Sequence, residues 1–340
     1  MEPDILLTVV IPAYNAQDYI DRAVTSVHGF DQVEVLIVDD GSADKTAEIS
    51  DEWAARDPEH IRVIHQENAG HGGAVNAGIA SARGRYLKIL DADDWLDRLA
   101  LKRALERLAL REGQGEALDL LVANYVYEKQ GKSHKAVIRY GNVMPRDRVV
   151  SWDEVKHCRY DQYLMMHALI LRTELVRECG LVLPTHTFYV DFIYSFVPVI
   201  AVRTFEYLDV DLYRYFIGRD DQSVNEQVMI SRVDQLLRVN AAMVDAIPHP
   251  DDVPSKLYRY LVHYLRINCV ICTVMLLRSG TEENATRKDE LWAQLEAKKP
   301  EAYRAVRRDL LGRLITLRSK PGRAVIMSGY HISQWVLGFN

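Results

Sequence analysis

Asp91, Asp93 and Asp94 place three carboxylates within four positions, directly behind the apolar run 86–90 and ahead of Trp95. Like charges this close repel one another unless something positive lies among them. The natural counter-charge is a hard divalent cation, Mg2+ or Mn2+, which takes carboxylate oxygen, keeps several waters and completes its shell with phosphate oxygens. The same acids would also suit the first turn of a helix from Leu96, where the helix dipole favours them. Position decides what they can do. An apolar run behind the turn Gly84-Arg85 predicts a buried strand. Acids just past it lie at its carboxyl end, the edge where open α/β sheets bind ligands.

The elements that must position these acids follow from the pattern ahead of them. Residues 8–12 predict a strand, 13–16 a loop and 18–28 a helix with Tyr19, Ile20, Ala23, Val24 and Val27 on one face. Residues 33–38 predict a second strand ending in Asp39-Asp40-Gly41-Ser42, with Ser42 as N-cap of a helix over 43–55. A third strand over 61–64, a loop over 68–73 and a helix over 74–83 complete the series. Strand and helix alternating with short connections imply a parallel sheet covered on both faces. Asp39, Asp40, the 68–73 loop and the three acids then converge on one edge by topology. No G-x-x-x-x-G-K-[ST] occurs, and the first strand-helix turn lacks glycine, which disfavours P-loop and dinucleotide-binding proteins. Gly70, Gly72 and Gly73 suit either a backbone that approaches a ligand closely or a plain tight turn.

Composition narrows the class. A chain of 340 residues, 48% hydrophobic and 26% charged, is globular and long enough for two domains. Its net charge of -6 argues against nucleic acid as a partner. No run of 18 uncharged apolar residues predicts a spanning helix. The acidic start, residues 1–4, has no basic region of a signal segment, so the expected compartment is cytoplasmic. Four cysteines make no disulfide framework, and Cys269 and Cys272 fall at helical spacing in an apolar run, which predicts core packing.

Four segments in order carry a resemblance. Thr8-Val9-Val10-Ile11-Pro12-Ala13-Tyr14-Asn15, Val38-Asp39-Asp40-Gly41-Ser42, Asn68-Ala69-Gly70 with Asn76-Ala77-Gly78-Ile79, and Leu90-Asp91-Ala92-Asp93-Asp94 resemble family 2 glycosyltransferases of the GT-A fold. The resemblance covers about the first hundred residues. It implies a mixed α/β sheet flanked by helices, and inverting transfer of a sugar from a nucleotide-diphosphate donor, a UDP-sugar first among them. By that likeness Pro12, Ala13 and Tyr14 line the base and ribose, Asp40 contacts the uracil or ribose, and Asn76 and Ala92 join the donor-binding set. Asp91 and Asp93 form the DXD pair, with Asp93 the direct ligand of Mn2+ or Mg2+ and Asp91 nearer the ribose. His71 stands in a stretch where the family more usually carries an arginine among small residues. It either replaces that cation or faces solvent.

Transfer to a hydroxyl also needs a base on the side opposite the leaving group. Asp191 is the sole acid in the apolar and aromatic run 188–196, and desolvation there raises its pKa, a direction that suits a base. The family places an aspartate at a helix start in this region in that role. The plain alternative is a first-turn acid, and His186 and Asp221 are competitors for the base. Arg219, in the polar loop after the strand near 212–217, is a candidate for the donor phosphates.

The expected organisation is a GT-A domain over 1–225, with a nucleotide-binding half 1–95 and an acceptor half 96–225, followed by a helical region over 226–340. Helices are predicted over 228–246, 255–278, 282–297 and 301–318. The basic and apolar carboxyl-terminal end, through Ile332, Trp335 and Phe339, suits either a packed helix or the surface of an anionic membrane holding a lipid-linked acceptor. A nucleotidyltransferase or a non-catalytic nucleotide-sugar-binding protein are the alternatives in function. The former would normally show a glycine-rich basic loop after the first strand, which 12–15 lacks.

Overall fold

The computed structural model describes residues 5–129, 135–217 and 225–337, with side chains to residue 328. They cluster into two compact units, Met1–Cys158 with Leu164–Arg219, and Arg159–Tyr163 with Asp220–Asn340.

The first unit is built on one mixed sheet. Its strands are β1 (Leu7–Ala13), β2 (Val33–Asp39), β3 (Ile61–His65), β4 (Tyr86–Ile89), β5 (Trp95–Leu96), β6 (Leu120–Lys129), β7 (Ala136–Ile138), β8 (Val149–Val150), β9 (Leu169–Arg172) and β10 (Phe205–Ile217). Its helices are α1 (Ile20–Val27), α2 (Thr46–Arg56), α3 (Gly70–Ser81), α4 (Arg98–Gly113), α5 (Thr173–Glu178) and α6 (Asp191–Ala201). The sheet runs β3-β2-β1-β4-β9-β6-β10-β5, with β7 on β6 and β8 on β10. β3, β2, β1 and β4 are parallel, and every residue of β1 and β2 is buried, as expected for strands covered on both faces. β9 enters antiparallel between β4 and β6, while β6 and β10 are parallel. That inversion brings chain from 166–172 and 205–217 to the strand that ends in the acids.

Three local expectations change. Ser42 does not cap α2: its hydroxyl accepts from the Asn15 N–H at 3.0 Å, so the helix begins only at Thr46. The glycine segment is not a loop but the first turn of α3, which starts at Gly70. Leu96 does not open a helix. Trp95 and Leu96 pair with β10, and Asp97 caps α4 by accepting from the Ala100 N–H at 3.1 Å.

The second unit is helical among its described residues: α7 (Glu226–Ser231), α8 (Val233–Ala246), α9 (Ser255–Arg278), α10 (Glu282–Lys298), α11 (Pro300–Val306), α12 (Leu310–Ile315) and α13 (Lys320–Leu337). α9 is long and apolar enough to cross a membrane by length and composition, but most of it is buried as the core helix of this unit. Its Cys269 and Cys272 are fully buried free thiols. The expected helix over 301–318 breaks at Asp309, whose carboxylate accepts from the Gly312 N–H at 2.7 Å and so starts α12 afresh.

Candidate active site

β4 delivers Asp91 to the carboxyl edge of the sheet, and β10 fixes the turn that follows. The Asp94 N–H donates to the Asp91 carbonyl at 3.0 Å. The Tyr213 hydroxyl and the Phe216 N–H each donate to Asp94 at 2.7 Å, and the Asp91 N–H donates to the Tyr213 oxygen at 3.2 Å. Arg22 on α1 donates to the Asp93 carbonyl at 2.6 Å. Asp94 is therefore fully buried, and burial, then the charges of Asp93 and Asp91, push its pKa well above the usual range.

Two groups that arrive from elsewhere face this turn. His71, in the first turn of α3, sits with Nε2 2.9 Å from Asp91 Oδ1. Burial works against a charge on its ring. The bond to Asp91 and the negative charges of Asp91, Asp191 and Asp93 outweigh it, so its pKa is raised. Burial works to raise Asp91, but His71 holds it below the ordinary value. His167 lies just ahead of β9 and is only 4% exposed, with Nε2 3.9 Å from Asp91 and 4.0 Å from Asp94. Neither ring nitrogen has a hydrogen-bond partner among the described residues. Burial drives its pKa down to about 4, so the ring is neutral and its lone pair is available. Beneath it the fully buried Lys88 donates to the carbonyls of Met166, His167 and Leu169 at 3.2, 2.6 and 3.2 Å, which fixes the segment that carries His167.

One ligand atom each from Asp91, Asp94 and His167 lies within 4.8 Å of the others. Carboxylate oxygens suit Mn2+ or Mg2+ and a neutral imidazole suits transition metals, so the donor set fits a divalent cation, Mn2+ better than Mg2+. Asp93 is not among these three, though its charge acts on His71 and Asp94. Sequence reasoning passed over His167. The available signal was a lone polar ring interrupting the apolar residues of 164–171.

Asp191 opens α6 on a segment seated against the glycine turn. The Asn76 side chain grips Leu183 at both ends, donating to its carbonyl at 2.8 Å and accepting from its N–H at 3.0 Å. The His186 N–H donates to the Ala69 carbonyl at 2.8 Å. A Cβ at Gly70, whose φ is +75°, would stand 2.8 Å from the His186 nitrogen, and one at Gly72 would stand 2.5 Å from the Pro184 carbonyl oxygen. The glycines thus admit the 183–186 backbone rather than forming a free loop. His186 and Tyr189 both hold positive φ, 46° and 67°, uncommon for residues with side chains and a sign of local strain ahead of Asp191. Burial raises the Asp191 pKa to about 6, with His71 opposing and Asp91 reinforcing the rise. Gly72→Ala is expected to lower kcat by about 10- to 100-fold through displacement of this segment, and to lower the thermal midpoint as well, since the added Cβ meets backbone. A steady-state comparison checks it.

The remaining candidates divide. Pro12 and Ala13 are buried at the end of β1, whereas Tyr14 is 55% exposed beside them. Asp40 is buried and its carboxylate accepts from Gln66 Nε2 at 2.6 Å and the Ala69 N–H at 2.8 Å, which ties it to the base of the His71 turn. Ala92 is buried inside the acidic turn. Arg219 and Asp221 lie outside the described residues.

A mixed sheet of this order, with its acids on one carboxyl edge and helices on both faces, is a GT-A fold. Residues 8–170 match the model of glycosyl transferase family 2. The chain is 43% identical over 107 residues to the succinoglycan biosynthesis protein ExoO of Rhizobium meliloti, covering 31% of this chain and 30% of that one. The chain spans about a third of the length of the curated relatives it matches. Staphylococcus aureus TarS 1-349 in complex with UDP-GlcNAc superposes with a TM-score of 0.71 at 17% identity, covering 97% of this chain and 92% of that one. The mannosyltransferase PcManGT of Pyrobaculum calidifontis, in complex with GDP-Man and Mn2+, gives 0.52 at 17% identity, covering 97% and 87%.

Proposed function

We propose that the protein is an inverting glycosyltransferase that moves a sugar from a nucleotide-diphosphate donor, a UDP-sugar first among them, to a hydroxyl of a carbohydrate or lipid-linked acceptor. The product is a bacterial surface polysaccharide or glycoconjugate, and the setting is the cytoplasm at the inner face of the cell membrane. The observation that carries this reading is what gathers near Asp91: a cation-fit cluster with Asp94 and His167, and a partly desolvated carboxyl, Asp191, on which its charge acts and whose pKa is raised to about 6. The relative ExoO is named for polysaccharide synthesis, and two proteins of like fold hold nucleotide sugars, which supports the donor class.

Asp91 and Asp93 would hold Mn2+ or Mg2+, with His167 and Asp94 adjoining. When bound, the ion supplies positive charge against the departing diphosphate. Pro12, Ala13, Tyr14 and Asp40 form the base and ribose side. Asn76 acts through the backbone of Leu183. His71, held by Asp91, adds a second positive charge near the donor phosphates. Asp191 takes the proton of the acceptor hydroxyl as its oxygen bonds to the anomeric carbon. The bond to the diphosphate breaks on the opposite face, which inverts that carbon.

A thermal-shift screen against UDP, GDP, dTDP and their sugars, with and without Mn2+, tests this. The expected result is selective stabilisation by the UDP series that needs Mn2+, about 2.7 kcal/mol at a hundredfold excess over Kd. Indifference to every nucleotide overturns the donor assignment. UDP binding without metal-dependent turnover of any UDP-sugar favours a non-catalytic binder.

A further inference from the structure

The outer face of the segment from Arg304 to Val325 has a chemistry unlike the rest of the chain. The segment carries seven lysines and arginines against the single acid Asp309, in a protein whose net charge is -6. Arg304, Arg318, Lys320 and Arg323 are paired with Glu301, Glu296, Glu282 and Asp289, so the basic character of the face rests on Arg307, Arg308 and Arg313. Asp309 is itself engaged by Arg266 at 2.7 Å. Four of the large exposed apolar side chains fall here too: Leu310 at 73% exposure, Leu311 at 45%, Leu317 and Val325. The segment's inward face is already satisfied, since Val306, Gly312, Ile315, Thr316 and Ile326 are buried. The leucines therefore do not complete the core of this unit, and Arg307, Arg308 and Arg313 stand exposed around them.

We propose that this face seats on an anionic lipid bilayer, with Leu310 and Leu311 entering the headgroup boundary and Arg307, Arg308 and Arg313 against lipid phosphates. Charge separation selects the occupant. A bilayer surface carries negative potential that attracts each Lys or Arg held near it by about 1 kcal/mol, and apolar side chains between them add a short-range anchor. A soluble anion would use the arginines and leave the leucines in water. The inference deepens the function proposed above, in that it brings the site to a membrane-borne acceptor. Its evidence is this surface alone, so sugar transfer and lipid binding can fail separately.

The full chain is sedimented with vesicles of equal parts phosphatidylglycerol and phosphatidylcholine, and with phosphatidylcholine alone. The expected result is binding to the anionic vesicles only, unaffected by added inorganic phosphate at the vesicle lipid concentration. The double variants Leu310→Ser with Leu311→Ser, and Arg307→Gln with Arg308→Gln, are each expected to weaken it about tenfold or more. All four positions are exposed, so unchanged thermal midpoints and unchanged transfer to a soluble acceptor show that the fold and the site are intact. No binding by the unaltered protein, or full binding by both variants, overturns the proposal. Competition by inorganic phosphate assigns the face to a soluble anion instead. Self-association that the leucine variant abolishes, without vesicle binding, assigns it to a second copy of the chain.

Discussion

Asp191→Asn is expected to lower kcat for transfer by about 10²- to 10⁴-fold while donor affinity stays within a few-fold of the original, because a general base contributes that much and the proposed donor contacts lie outside α6. Full activity in this variant would move the base to another group, His186 first. The same carboxyl sets the acid limb of the pH profile. With a pKa raised to about 6, Asp191 is a base only above that value, so kcat falls as pH drops through it. The variant has no such limb. Stability moves the other way. Folding raises this carboxyl from 3.8 to about 6, so the native state holds the proton more tightly than the unfolded chain. The resulting penalty is absent below the unfolded value, grows between the two and is complete above 6. Asparagine carries no such penalty. The variant therefore unfolds with the original near pH 4 and is more stable near pH 8, by roughly 2 kcal/mol once partial exposure is allowed for. Thermal midpoints across that range give the sign directly.

The second large effect is expected at the acidic turn. Asp91→Asn and Asp93→Ala each reduce transfer on the order of 10³-fold, the equivalent of about 4 kcal/mol of lost charge stabilisation. Each also weakens Mn2+ binding measured by electron paramagnetic resonance without substrate. The two differ in a further respect. Asp91→Asn strips His71 of its ion-pair partner, so the His71 pKa, followed by NMR, falls, whereas in Asp93→Ala it moves less. His167→Gln separates the ligand sets: if it weakens Mn2+ binding as much as Asp93→Ala does, the ion sits deeper than the DXD pair alone would place it. Unchanged Mn2+ affinity in both aspartate variants would take the cation away from this turn.

The features legible in the sequence were those written locally. A β-branched run closed by Pro12 marked β1, apolar runs ending in acids marked β2 and β4 with Asp40 and Asp91 at their ends, and the family resemblance placed a helix start at Asp191, where α6 begins. What was not legible depends on partners far along the chain. His167 and Tyr213 reach the acids only because β9 runs antiparallel beside β4 and β10 lies across β6, and pairing between strands eighty or more positions apart leaves no periodic trace. Ser42 had the residue type of a cap but was outcompeted, since Asn15, at positive φ, presents its own N–H to that hydroxyl. The glycines at 70, 72 and 73 could be read as permissive, but not what they permit.

His71 and Asp191 hang from two stretches of backbone that meet at Gly70, Gly72 and 183–186, so neither can be redesigned alone. Changes of size on one side are expected to be epistatic with changes of length on the other, their joint effect departing from the sum of the single ones. Diversification of acceptor preference in such a scaffold would then proceed through paired replacements across this seam, or else through elements that do not touch it.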